Sequence, residues 1–183
     1  MKLIRQVSAT VLLICIAALV CLADHLPDEL IIPGVSEHKL CGIDIYRTHV
    51  QQIKAVYGQP TSTSYSPLKD TDTVFSEYVW QKSDLKLRAS VYRGKDGTEN
   101  EAYVVDVWGS HVDGQLGMTS QGIKLGCTIK CIQSRYGKRY MITQGTPATP
   151  KSLLLEWKDG THLIVNFDSG GKINHMQLMA DVE

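Results

Sequence analysis

The 183-residue chain lacks a surplus of either charge, a hydrophobic run long enough to cross a bilayer, and any recognisable catalytic motif. Nineteen basic side chains face nineteen acidic ones. Setting aside the first 23 residues, which hold Lys2 and Arg5 and no acid, leaves 17 basic and 19 acidic groups, a net of 17 − 19 = −2. That balance argues against nucleic acid as a partner, because phosphate binding needs clustered cations. It also predicts no polybasic hold on an anionic membrane. The longest apolar run, VLLICIAALVCLA at 11–23, falls short of the about 20 residues that a membrane-spanning helix needs. The six histidines, at 25, 38, 49, 111, 162 and 175, form no HxxxH or HExxH pair. Gly170 and Gly171 open no helix, so no phosphate loop is implied. Neither a catalytic residue nor a cofactor is expected from this set.

What is present begins with a leader. Lys2 and Arg5, the apolar run, and the small residues Cys21 and Ala23 follow the three-part layout of a secretory signal peptide, with cleavage after Ala23. Lipidation at Cys21 is disfavoured by Val20 in front of it. A periplasmic or secreted protein is the expectation, with no stable membrane insertion once the leader is removed. An uncleaved anchor is the alternative. Cys15 and Cys21 leave with the leader, so Cys41, Cys127 and Cys131 remain. Outside the cytoplasm thiols tend to pair, and an odd number leaves one over.

The body of the chain repeats itself. Residues 42–61, GIDIYRTHVQQIKAVYGQPT, and 122–141, GIKLGCTIKCIQSRYGKRYM, each read as Gly-Ile, a short amphipathic helix, and a Tyr-Gly stop. Val50, Ile53 and Tyr57 fall on one helical stripe, as do Ile129, Ile132 and Tyr136. Thr48 and Thr128 are placed to cap the two N-termini, and Gly58 and Gly137 to end the helices. Three strands are expected after each helix: 74–80, 85–92 and 102–108, then 152–157, 161–167 and 173–179. Leu85, Leu87, Ala89 and Val91 alternate with Lys86, Arg88, Ser90 and Tyr92, the pattern of a half-covered antiparallel sheet. Asp159-Gly160 and Gly170-Gly171 are hairpin turns. The fold class is therefore α+β: two tandem helix-plus-three-strand repeats forming one antiparallel sheet with the helices on one face. The expected layout is a signal peptide at 1–23, a lead-in at 24–40, a first repeat at 41–110, a connecting loop at 111–120 and a second repeat at 121–183.

The segments GIDI…YGQPT, GIKLG…YG and EWKDGTHLIVNFDSGGKI resemble the tandem repeats of the β-lactamase inhibitory proteins. They are also similar to the single-copy SmpA/OmlA-type small outer-membrane lipoproteins. The resemblance covers about residues 40–180. It implies a helix-plus-sheet repeat whose open sheet surface grips another protein. The inhibitors hold a disulfide within each repeat, whereas Cys41, Cys127 and Cys131 stand at other places here.

Among the candidate sites, Cys41 joined to Cys127 or Cys131 would staple the two repeats, while a Cys127–Cys131 bond would sit awkwardly at a helix start. His38, Cys41, Cys127 and Cys131 offer four potential metal ligands, and His162 with His175 a further pair; scattered structural residues are the commoner reading of both, and no metal is expected. With Leu85 and Leu163 turned to the core, the outward row holds Arg88, Tyr92, Asp106, Trp108, His162, Ile164 and Asn166. Aromatics beside an arginine are what contact patches are rich in. This face, with loops 62–73 and 109–120, is the expected partner-binding surface of a non-enzymatic protein whose partner is another protein. The alternatives are a small envelope enzyme or metal-binding protein using the cysteines and histidines, and a structural subunit of envelope assembly.

Overall fold

The computed structural model describes residues 26–67, 74–93, 99–110 and 117–180. The leader at 1–23 lies outside the described residues, as do 68–73 and 111–116 of the two loops singled out above.

Residues 28–30 form turns, and Ile32 pairs with Trp157 as an isolated bridge. A small hairpin follows, β1 (Lys39–Leu40) and β2 (Ile43–Asp44). At its turn Cys41 and Gly42 both have positive φ, 58° and 76°, as a two-residue primed turn requires. Next come α1 (Val50–Tyr57), β3 (Ser62–Pro67), β4 (Val74–Lys82), β5 (Leu85–Arg93) and β6 (Glu99–Trp108). The second half provides α2 (Ile129–Tyr136), β7 (Met141–Gly145), β8 (Pro150–Glu156), β9 (Thr161–Phe167) and β10 (Ile173–Ala180). All strands from β3 onward form one antiparallel sheet in the order β3-β4-β5-β6-β10-β9-β8-β7.

The α+β class and the six expected strands are present, but each helix is followed by four strands, not three. The added strands are the sheet's two edges, β3 and β7. Residues 62–67, expected in a loop, are β3, and every one of its side chains is exposed. A strand with no buried face shows no apolar alternation, which is the signal that marks the other six.

Both helices pack on one side. Trp80, Leu87, Val107, Met176, Val165 and Leu153 lie side by side across the sheet. They share one core with Val50 and Ile53 of α1 and Ile132 of α2. Eight-residue helices are too short to hold alone, so burial of these stripes is what fixes them. Gly58 and Gly137 end them with φ of 81° and 66°, backbone that favours glycine. The caps differ from expectation. Thr48 lies one residue before the cap, and its hydroxyl accepts the Asp44 N–H instead; His49 is the N-cap, with its N–H given to Gln52 Oε1. Thr128 is at the cap position but its side chain makes no capping bond.

Cys41, Cys127 and Cys131 are all free thiols, so the expected staple between the halves is not formed. Other bonds join them. The Gly-Ile turns of the two halves pair directly: Cys41 N–H donates to Met118 O and Ser120 N–H to Lys39 O. Glu37, fully buried, clamps this junction. Its carboxylate accepts the N–H groups of Ser120 and Gln121 and the hydroxyls of Ser120 and Tyr136. Among the described residues no helix is long and apolar enough to cross a membrane.

Candidate protein-binding face

Register decides which side chains share the sheet face away from the helices. Arg88, Asp106, Gln177 and Ile164 form one cross-strand row, and Lys86, Trp108, His175 and Asn166 the next. Ser90, Val104, Met179 and His162 form a third. Tyr92 lies opposite Phe75 beyond these rows. The alternation read from the strands thus puts all seven nominated residues on one face, at different depths.

Asp106 is the centre and is 0% exposed. Its Oδ2 accepts from Nε and Nη2 of Arg88, both at 2.9 Å. Its Oδ1 accepts from Nε2 of Gln177 at 2.9 Å and from Nε2 of His175 at 3.2 Å. A carboxylate this buried is tolerable only with its lone pairs filled, and here they are. Nη1 of Arg88 goes to Glu77 Oε1 at 3.2 Å. On the far side of His175 the Asn166 amide meets Nδ1 at 2.7 Å. Both imidazole nitrogens are therefore occupied within the cluster, which ties β5, β6, β9 and β10 together on this face.

Trp108 lies on this network. Its ring stacks on His175 at 4.5 Å and 7°. Arg88 sits 5.3 Å and Lys86 Nζ 5.0 Å from its centroid, within the range of cation–π attraction. The indole is half-buried and held at one angle. A second aromatic group adjoins it. Tyr92 stacks on Tyr103 at 4.2 Å, and Phe75 meets Tyr103 edge-on at 5.6 Å. A register shift after Ser90 brings Tyr103 to this side, where burial and then the neighbouring Tyr92 hold its phenol far above the usual range.

The nominated residues therefore divide. Trp108, Tyr92, Ile164 and Asn166 are partly exposed. Asp106 is beneath them, and Arg88 spends its donors on Asp106 and Glu77. His162 is 8% exposed, at a corner overlaid by the lead-in, where Leu26 N–H donates to Glu156 Oε2. His162 and His175 share the face but stand two rows apart, ~13 Å along the strands. Among the described residues no group of three or more His, Cys, Asp or Glu could hold a metal. His38 pairs instead with Asp159 at 3.4 Å. Three members of the cluster, Glu77, His175 and Gln177, were not among the nominated residues. The alternation of INHMQLM, continued through β10, puts His175 and Gln177 in the same rows.

No family model matches the chain, and no curated protein matches it. Among solved structures it is similar to a DUF4309-family protein, YjgB, of Bacillus subtilis, with a TM-score of 0.42 and 19% identity over 76% of this chain and 83% of that one. It is also similar to a proposed β-lactamase inhibitor protein of Streptococcus mutans, with a TM-score of 0.31 and 16% identity over 74% of this chain and 84% of the other. The inhibitor side of the sequence resemblance has a counterpart in the second of these; the SmpA/OmlA side has none in either. Likeness this distant does not bear on activity, and the function is read from the chain's own sheet face.

Proposed function

We propose that the chain is a non-enzymatic, periplasmic or secreted module that binds another protein through the sheet face opposite its helices. The observation that carries this reading is the mounting of Trp108: a half-exposed indole, stacked on His175 and flanked by two cations, over a carboxylate whose hydrogen bonds are all satisfied from within. Interface hot spots are enriched in tryptophan and tyrosine on well-ordered ground. An indole fixed before the encounter loses little freedom on binding. Tyr92, Ile164 and Asn166 extend the contact; Arg88 and Asp106 hold it in shape.

The test is affinity capture of the tagged protein from envelope and secreted extracts, with Trp108→Ala alongside. A protein retained by the wild type should be lost from the variant, with affinity falling roughly thirtyfold or more. Superimposable circular dichroism spectra would show that the fold is kept. No retained protein, or one indifferent to the substitution, would sink this face as the binding site.

A further inference from the structure

The near-zero net charge conceals an uneven distribution. From Gln115 to Leu155 the chain carries Lys124, Lys130, Arg135, Lys138, Arg139 and Lys151 and not one acid. The remainder compensates: residues 24–114 hold nine basic and fourteen acidic side chains, and 156–183 hold two and five.

The fold gathers these cations on the helix side of the second half. Ile132 turns α2 to the core, leaving Lys130 and Arg135 exposed on its outer side, with exposed Lys138 just past the Gly137 stop. Arg135 reaches back, its Nη2 lying 3.6 Å from where a Cβ would stand on Gly122, beside the segment that carries exposed Lys124. Lys151 has the strand parity of Leu153 and Leu155, which face the helices. Arg139 is engaged elsewhere, its Nη1 donating to the carbonyls of Glu29 and Ile31. The other five have no ion-pair partner among the described residues. On α1 the only basic residue is Lys54, and it lies over the Tyr78 ring.

We propose that the α2 side of the molecule adsorbs to an anionic phospholipid surface. Four of the five cations are lysines, compact hydrated charges on flexible stems, which suit a diffuse negative surface better than planar, bidentate recognition. Lysine is depleted at protein–protein interfaces, which argues against a protein occupant here. Each lysine or arginine near an anionic bilayer is worth about fivefold in affinity, so five suffice for reversible, salt-sensitive attachment without insertion. The patch lies on the opposite side of the sheet from Trp108, so attachment would present the Trp108 face away from the membrane.

The experiment is co-sedimentation of the purified chain with vesicles of phosphatidylcholine alone or mixed with phosphatidylglycerol. The variant carries Lys130→Gln, Lys138→Gln and Lys151→Gln, all at exposed positions, with its fold checked by thermal melting. Binding should require phosphatidylglycerol, weaken as salt rises, and fall on the order of a hundredfold in the triple variant. Trp108→Ala should sediment like the wild type. Equal binding to both vesicles, an undiminished triple variant, or loss of binding in Trp108→Ala would each overturn the proposal. Salt-sensitive retention on heparin without sedimentation on vesicles would also overturn it, in favour of a soluble polyanion.

Discussion

Tyr57 and Tyr136 occupy the same place in the two halves, at the end of a short helix and before a positive-φ glycine, yet their hydroxyls finish on different partners. Tyr57 donates to the carbonyl of Cys41 in its own half. Tyr136 donates to the Glu37 carboxylate, contributed by the lead-in on the other side of the chain. The tryptophans diverge as well. Trp80 gives its indole N–H to Gly58 O at 2.9 Å, whereas the buried Trp157 Nε1 has no partner among the described residues. Each tyrosine still packs on its tryptophan, at 6.3 Å and 50° in the first half and 5.6 Å and 88° in the second. The apolar frame is common to both halves, and the polar bonds that finish it are not. The first half closes on its own main chain, while the second depends on a buried charge brought from outside it.

That contrast can be broken or sharpened, starting from its largest effect. Burial holds the Cys41 thiol up to about 12, while Cys127 and Cys131 are partly exposed. At pH 8 iodoacetamide should label those two in the folded protein while Cys41 reacts about a thousandfold more slowly than an ordinary thiol, through its scarcity of thiolate. Equal labelling would show that the first half opens as readily as the second. The folded thiol titrates above its ordinary 9.0, so the stability Cys41 contributes is whole below that value and is lost as pH rises toward about 12. Cys41→Ala should accordingly flatten the alkaline limb of the stability curve.

Next is the join between the halves. Asp106→Ala strands donors from both β5 and β10 and should cost about 3–5 kcal/mol in urea denaturation, still as one transition. Two transitions would mean that the halves hold separately. Glu37→Gln should cost about 1.5–3 kcal/mol, against about 1 kcal/mol for Tyr57→Phe; a reversal would refute the second half's reliance on the imported charge. The smallest test replaces each tryptophan by its benzothienyl analogue, which keeps the shape and removes the N–H. At position 80 the change should cost about 1 kcal/mol, and at 157, where a buried N–H without a partner is removed, it should stabilise the fold by about 1 kcal/mol.

Most of the sheet was legible because its inner strands bury one face. Leu85 to Val91 and Leu163 to Phe167 announce their period, and the outward row follows from it. The edges were not legible: STSYSP has no side to bury, and only pairing with β4 makes it a strand. The depth of Asp106 was hidden too, since alternation tells which way a side chain points but not what closes over it. Arg88 was legible as an outward cation, but its commitment to Asp106 and Glu77 depends on neighbours 18 and 11 residues away. Glu37 gave no signal at all. Besides the Lys39 N–H, its four other donors come from residues 83 to 99 positions further along, and no pattern near it in the chain marks a buried acid.

The order of strands carries a consequence for how the molecule assembles. Within β3–β6 and within β7–β10 every rung joins strands that follow one another along the chain, so each set can zip up locally. The β6–β10 rungs alone bridge the sets, from His175 with Trp108 to Met179 with Val104, separations of 175 − 108 = 67 and 179 − 104 = 75 residues. Closing so long a loop is the entropically slow event. Folding is then expected to run as two quick meanders followed by one docking step, and the bonds from His175 and Gln177 to Asp106, which straddle that seam, form only when docking succeeds. In stopped-flow refolding benzothienylalanine at position 80, whose lost bond belongs to a meander formed before docking, should slow the main phase, while Asp106→Asn, which weakens bonds completed only on docking, should act chiefly on unfolding. A buried polar cluster at the seam thus acts as the proofreader of assembly, since a slipped pairing would leave one oxygen of the buried Asp106 carboxylate without its Gln177 and His175 donors.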